Sequence, residues 1–463
     1  MALGIEARGC RFCRHAWVSR PVVAIDVSRH LSLSRCDVCG AWWETNGDHY
    51  VAVIDAAAVA EYPASAWAAV SESDAAKSLL SAQAVRERAH ALLKVALEGG
   101  LSEWAVDLDQ LNVAADLTAD EVRRNYPDLN VPFHARWRHF VAEGRDLWVE
   151  MEKPTDPTEL GRFAFDLVIP SVLLDAGAGP GWRYQDAATG AVLGRSEGLG
   201  VASLRLFESG ALTLRPAYGL QANALHKVDA TTLAEAFQVS GDNPLVGLEG
   251  RAELLRRLGS ILERPGDLFD IMAKRAVDGR LPAPWILAVL LEKLGPIWPG
   301  RTALGGVDLG DCWRHSAMKR DDPTDGLVPI HKLSQWMSYS LIEPLEWAGI
   351  TVTDIDGLTG LAEYRNGGLF VDTGVLVLKD PAESALPQPV EGPLVVGWRA
   401  LTVALLDRIA PLVRERLGVS AEAFPLARVL EGGTWAAGRR IARQLRPADG
   451  GPPITVISDG TVF

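Results

Sequence analysis

Apolar residues recur at three- and four-residue steps over much of this chain, the spacing that gathers them on one face of a helix. Leu79, Ala82, Val85, Ala89, Leu92 and Ala96 form the first such stripe, and Gly99-Gly100 end it. Thr118-Ala-Asp-Glu121 reads as a capping box that opens a second helix, closed by Pro127. Further helices are predicted over residues 248–262, 285–294 (with Pro284 at the start), 332–341 and 401–417, and Pro344 should end or kink the third of these. Strand patterns are fewer: residues 211–214, 369–378 and 454–457, the last leading into an Asp459-Gly460 turn. The predicted fold class is mainly α with minor β, most of the chain forming one large helical domain.

The first 54 residues depart from that pattern. Short strand-like pieces at 17–19, 21–25, 31–33 and 41–43 surround Cys10-Arg-Phe-Cys13 and Cys36-Asp-Val-Cys39. A CxxC turn aims two thiolates at one point, and two such turns complete the tetrahedral sulfur shell that Zn²⁺ accepts. Cys10, Cys13, Cys36 and Cys39 are therefore the expected ligands of a structural zinc, in a small N-terminal zinc ribbon. His15 and His30 are not needed in a shell of four thiolates. The expected organisation is a ribbon at 1–54, a connector at 55–74 rich in Ala, Ser and Glu with Pro63, and a helical domain at 75–463.

Composition narrows the function classes. Of 463 residues, 48% are hydrophobic and 23% charged, as in a soluble globular protein. No stretch of about 18 apolar residues is present, so no membrane partner is expected. The first 20 residues lack the apolar core of a secretory signal, which suggests a cytoplasmic protein, where thiols stay reduced and bind metal rather than pair. Asp and Glu number 59 against 46 Lys and Arg, a net charge of −13 that speaks against nucleic acid as a partner. The first 50 residues carry +1, which fits a protein-contact or capping module better than a DNA reader. An anionic substrate of the acidic remainder would need a local arginine cluster.

Three segments hold candidate chemistry. Val172-Leu-Leu-Asp-Ala-Gly-Ala-Gly-Pro-Gly181 matches the strand-loop of methyltransferases that bind S-adenosylmethionine, but Trp182-Arg-Tyr184 stands where a helix should follow, and no Lys-Ser/Thr makes it a P-loop. The plainer reading is a buried helix or strand ending in a tight turn, with Asp175 beside open backbone. Residues 126–140 gather His134, Arg136, Arg138 and His139 around Trp137, which suits phosphate or carboxylate recognition as well as a solvated arginine face over a core tryptophan. In residues 354–376, Glu363, Arg365, Asn366 and Asp372 sit among small and apolar residues, where desolvation raises a carboxylate's pKa unless Arg365 offsets it. The plainer reading here is a Glu363–Arg365 salt bridge at a helix end. Cys312 has no accompanying His and Asn series, and reads as a small buried hydrophobe.

Residues 126–140, 171–184, 331–350 and 358–376, with Glu431-Gly-Gly-Thr-Trp-Ala-Ala-Gly438, together resemble the uracil-catabolism protein family, formerly a domain of unknown function and encoded in fungi and bacteria beside a ring-opening route of pyrimidine degradation. The resemblance spans residues 75–463 and leaves the ribbon as an addition. More faintly, Asp354-Ile-Asp-Gly-Leu-Thr, Ala362-Glu-Tyr-Arg365 and Gly374-Val-Leu376 are similar to a segment of queuosine-salvage proteins, helical N-ribosyl hydrolases related in fold to helix-hairpin-helix glycosylases. Those proteins carry Asp where this chain has Glu363, and Pro-Gln where it has Asn366-Gly367, so base selectivity does not carry over. The two resemblances imply hydrolysis of an N-glycosidic bond in a ribosyl compound such as ribosylurea or its 5-phosphate, with no organic cofactor. Glu363 or Asp372 would stabilise charge and activate water, with Asp175 as the other acid. Arg136, Arg138, Arg365, His134 and Asn366 would contact phosphate or urea, and Trp137, Trp182 and Tyr364 would wall the site. A phosphoribosyltransferase, a methyltransferase and a non-catalytic scaffold binding a protein partner through the ribbon are the other classes.

Overall fold

Four short antiparallel strands, β1 (Val22–Asp26), β2 (Leu31–Arg35), β3 (Trp42–Thr45) and β4 (Val51–Ile54), pair in chain order at the N-terminus of the computed structural model. The structure describes residues 9–10, 12–14, 20–46, 51–179, 181–212, 222–298 and 301–457. The β2–β3 turn carries Cys36 and Cys39, and Gly40 closes it in the left-handed region at φ 70°. The strand expected at 17–19 lies outside the described residues. Three short helices, Ala56–Ala60, Ala64–Ala68 and Glu72–Ser78, occupy the expected connector, the first and last capped by Asp55 and Ser71. They brace the sheet: Tyr62 and Ala66 share a small apolar core with Ala24 and Leu33, and the Tyr62 hydroxyl donates to Glu44 at 2.6 Å.

The remainder is a helical body. Its main helices are α1 (Ala82–Leu97), α2 (Leu111–Asn125), α3 (Pro157–Leu173), α4 (Arg195–Glu208), α5 (Leu248–Ile261), α6 (Ala283–Leu294), α7 (Lys332–Trp347), α8 (Tyr364–Asp372), α9 (Pro393–Leu417) and α10 (Trp435–Leu445). The α1 stripe is buried as its spacing predicts, packed on α9, which also covers α2; α3 packs on α7, and α8 on α10. No helix among the described residues is long and apolar enough to cross a membrane.

Several expectations are corrected. Thr118 does not cap α2: the helix starts well before it, and the Thr118 hydroxyl donates back to the Ala114 carbonyl at 2.7 Å inside the helix. Pro344 does not end α7, which continues to Trp347. The carbonyl that Pro344 cannot bond, Ser340 O, accepts instead from the Trp137 indole at 2.7 Å. Helix α9 begins at Pro393, ahead of the expected start, because Leu394, Val395 and Val396 are also buried. Residues 369–372 finish α8, and only Leu376–Leu378 form a strand, antiparallel to Trp104–Val106. At the C-terminus Val456–Ile457 pairs in parallel with Gln388–Pro389, while the Asp459-Gly460 turn lies outside the described residues. Of the 211–214 strand, 211–212 form a turn and the rest lies outside them. Helix α3 ends at Leu173, so no strand enters the glycine loop and the methyltransferase arrangement is not formed. Cys312 is fully buried, and burial pushes its thiol pKa up.

Candidate active-site cavity

Helices α4, α7 and α8 all begin at one cavity of about 420 Å³, and their first residues, Arg195, Lys332 and Tyr364, line it. The loop after α3 (Asp175, Gly177, Ala178, Gly179), the aromatic faces of Trp336 and Trp435, and residues from Asp449 to Val456 complete the wall. Helix N-termini carry partial positive charge, so this convergence favours negative groups. Two of the helices are entered through left-handed residues, Arg195 (φ 54°) and His331 (φ 48°), a conformation that costs of order 1–3 kcal/mol in a residue with a Cβ.

Glu363 caps α8. Its two carboxylate oxygens accept the backbone N–H groups of Asn366 (2.5 Å) and Arg365 (2.8 Å). The Arg365 guanidinium makes no ion pair with Glu363; it lies 4.9 Å from the Tyr364 ring and 5.5 Å from that of Trp435. Asp175 accepts from Arg136 Nη1 at 2.6 Å and from the Ser196 hydroxyl at 3.1 Å. Arg136 is wholly buried behind that wall, with its Nε on Ser171 Oγ. Arg251, also wholly buried, donates to the carbonyls of Leu174, Ala176, Gly177 and Val246, and so fixes the loop that carries Asp175.

Lys332 reaches the cavity because Asp311 anchors the start of α7. Asp311 accepts the Lys332 backbone N–H (2.9 Å), both arms of Arg399 (2.8 and 2.7 Å) and the Trp313 indole (2.6 Å). Burial would push the Asp311 carboxyl up, but Arg399 overrides it and holds the group well below the usual range. The Lys332 ammonium has no partner among the described residues, and burial pulls its pKa down against the opposing pull of Asp175 and Glu363.

Two histidines lie between the same indoles. His134 is 6.2 Å from Trp336 and 5.8 Å from Trp435, and its Nδ1 is 2.5 Å from Glu431 in the π-helical turn Leu430–Thr434. His139 is 5.6 and 6.2 Å from them, and its Nδ1 has no partner among the described residues. Burial, helped by the Arg136 charge, pulls the His139 pKa down to about 4. The unfolded chain takes up this proton near pH 6.5, the folded chain only near 4, so folding stability should fall as pH drops through that window and be fully present above it. In urea titrations at pH 7 and pH 4, the wild type should lose about 3 kcal/mol more than His139→Asn over this interval. Equal losses would show that His139 is not held neutral by burial.

The structure gathers Glu363, Asp175, His134, Tyr364 and Arg365 on the cavity wall. Other sequence candidates lie elsewhere, all but Asn366 held by a partner remote in sequence. Arg136 sits behind Asp175, and Asn366 is buried with its amide on Leu361 O. Asp372 forms a two-pronged pair with Arg446 (2.9 and 2.6 Å), and Arg138 pairs with Glu343 at 2.6 Å. Trp137 stacks in a cluster with Trp148 and Trp347, and Trp182 is buried with its indole on Phe237 O. None of these six lines the cavity. Lys332, Arg195, Glu197, Trp336 and Trp435 do line it and were not among the sequence-derived site residues, while His139, grouped with His134 in the sequence, lines it too.

At the N-terminus the sulfurs of Cys10, Cys13, Cys36 and Cys39 lie within 4.8 Å of one another, Cys13 and Cys39 at 3.8 Å. A tetrahedral site with metal–sulfur bonds of about 2.3 Å places sulfurs about 3.8 Å apart, so this cluster can hold a metal ion. No described ribbon residue lines the cavity.

Residues 78–463, which include every residue of the cavity wall, match the model of a family described as "Protein of unknown function (DUF1688)". The chain belongs to this family. It is 40% identical over 399 residues to "Protein urg3" of Schizosaccharomyces pombe, covering 83% of this chain and 98% of that protein. It is 37% identical over 414 residues to "Uracil catabolism protein 4" of Lachancea kluyveri, covering 79% of this chain and 93% of that protein. The ribbon and the short helices Ala56–Ala60 and Ala64–Ala68 precede the family match. A conformational reason for the glycine ending Glu431–Gly438 is visible: a Cβ on Gly438 would fall on the Arg365 carbonyl oxygen, so glycine lets α10 press against α8 beside the cavity.

Proposed function

We propose that this protein acts in uracil catabolism, the process for which its Lachancea kluyveri relative is named, as a hydrolase of an N-ribosyl bond in ribosylurea or its 5-phosphate. The observation that carries this reading is the presence of two carboxylates, Glu363 and Asp175, on the wall of one cavity with aromatic and cationic sides. Breaking an N-ribosyl bond places positive charge on the sugar, and fixed carboxylates stabilise that charge without reorganising. Backbone N–H groups fix Glu363 against the anomeric carbon; Asp175, held by Arg136 and Ser196, orients the attacking water and accepts its proton. The C1′–N bond breaks, water oxygen bonds to C1′, and the departing urea nitrogen ends with one of the water protons. Trp336, Trp435 and Tyr364 exclude bulk water from the sugar face.

The metal assigned to Cys10, Cys13, Cys36 and Cys39 is zinc, in a structural role, since four thiolates leave no open coordination position. Purified protein given ribosylurea or ribosylurea 5-phosphate should release urea together with ribose or ribose 5-phosphate, followed by a urea assay. No release from either compound sinks the hydrolase reading.

A further inference from the structure

We propose that the cavity binds a phosphomonoester group through Arg365, Lys332 and Arg195, so that its ligand is a sugar phosphate and not a neutral nucleoside. The inference rests on reading this cavity as the substrate site, but not on which bond is cleaved there.

Cationic groups are left over on the cavity wall. Four carboxylates line the cavity, and each is engaged: Asp175 by Arg136 and Ser196, Glu197 by Arg439, Glu363 by two backbone N–H groups, and Asp449 by the Gly451 N–H at 2.8 Å. The guanidinium groups that neutralise Asp175 and Glu197, those of Arg136 and Arg439, come from outside the cavity wall. Glu363 and Asp449 meet no guanidinium, so the three cations of the wall leave it one positive charge in excess and carry N–H groups that no carboxylate takes up. Among the described residues, Lys332 Nζ has no hydrogen-bond or ion-pair partner, and Arg195 gives one N–H to the Asp449 carbonyl at 2.6 Å without meeting a carboxylate. Arg365 is only 5% exposed, yet its guanidinium makes no hydrogen bond among the described residues and rests on the Tyr364 and Trp435 rings. A guanidinium on so buried a residue keeps only part of its hydration, and a bound anion would supply the acceptors that its N–H groups lack.

The ligand's class follows from the donors these cations leave open. A single carboxylate would balance the excess charge but offers two oxygens to three cationic groups. A phosphomonoester carries between about −1.5 and −2 at neutral pH and presents three acceptor oxygens. Helix α4 adds to the attraction, because its N-terminus opens on the cavity with no side-chain cap. Against an overall charge of −13, this is the kind of local cationic cluster an anionic ligand requires.

Titration calorimetry on the intact protein tests the proposal with ribose 5-phosphate, ribose and inorganic phosphate. Ribose 5-phosphate should bind at least about 100-fold more tightly than ribose, and phosphate should compete with it. Arg365→Met and Lys332→Met should each weaken ribose 5-phosphate by about 10-fold or more and leave ribose unchanged. Thermal melting reports folding, and if the Arg365 variant does not fold, Lys332→Met decides. Equal binding of ribose and ribose 5-phosphate, absence of binding by all three probes, or phosphate-dependent binding untouched by both substitutions would each overturn the proposal. Tight ribose 5-phosphate binding without urea release from ribosylurea 5-phosphate would uphold the anion site and remove the hydrolase reading. Equal turnover of ribosylurea and its 5-phosphate would do the reverse.

Discussion

Replacing Glu363 by Asp should lower turnover of the ribosyl substrate about 100-fold or more while leaving the protein as stable as before. The two halves of that expectation come from two jobs of one side chain. As the cap of α8, the carboxylate accepts the N–H groups of Arg365 and Asn366, and Asp is at least as good a cap as any residue. As a charge facing the sugar, it must stand at a fixed reach, and the shorter side chain withdraws it by roughly one C–C bond, about 1.5 Å. A displacement of about 1 Å in a catalytic group is worth about 100-fold in rate. Glu363→Ala should lose both functions, adding about 1 kcal/mol of destabilisation. Steady-state kinetics with thermal melts on both variants make the separation. Wild-type turnover by Glu363→Asp would reduce Glu363 to a cap.

The residues of this site were unequally legible. Glu363, Asp175, Tyr364 and Arg365 stood out because they sit in short strings where polar groups interrupt small and apolar ones; the helix start places Glu363, Tyr364 and Arg365 on the wall, while Asp175 also depends on Arg251 and Arg136. Lys332 looked like an ordinary first-turn lysine; what distinguishes it is Asp311, far from it in sequence, which anchors α7 so that the ammonium enters the cavity. Asp372 and Arg138 carried the same local signals as Glu363 and Arg365, but Arg446 and Glu343 satisfy them from other elements. The fold divides along the same line. The α1 stripe is a local property and was readable, whereas the passage of α7 through Pro344 depends on the Trp137 indole, 203 residues from the carbonyl it satisfies. Thr118 shows how a motif misleads. Its spacing to Glu121 suits a cap, but the same hydroxyl bonds equally well to the preceding turn, and the burial of that face of α2 decides between them.

Cys36→Ser should cost the N-terminal module the metal ion that we propose to be zinc, and its fold, while the cavity keeps the proposed turnover. The four-stranded sheet is too small to hold itself together by burial, and its interior is largely Ala24, Leu33, Tyr62 and Ala66. Structural zinc sites of this donor type contribute on the order of 10–16 kcal/mol of apparent binding free energy, comparable to the about 5–15 kcal/mol that holds an entire domain folded. Removing a fully buried ligand therefore outweighs what the short helices beside the sheet return. The effect should remain local. The module meets the body through Phe12, Cys13, Cys36, Ala41 and Trp43, with Cys10, Val38, Cys39 and Val53 packed beside them, and through an Arg35–Glu87 ion pair to α1, and none of these residues lines the cavity. Metal analysis of the wild type should give one zinc per chain, and the variant none. In the variant, trypsin should cut first at Arg29 or Arg35, with the helical body resisting and still turning over substrate. A metal-free wild type whose N-terminus resists trypsin would dismiss the zinc assignment. Loss of turnover with an intact body would instead tie the ribbon to the chemistry, a link that the composition of the cavity wall argues against.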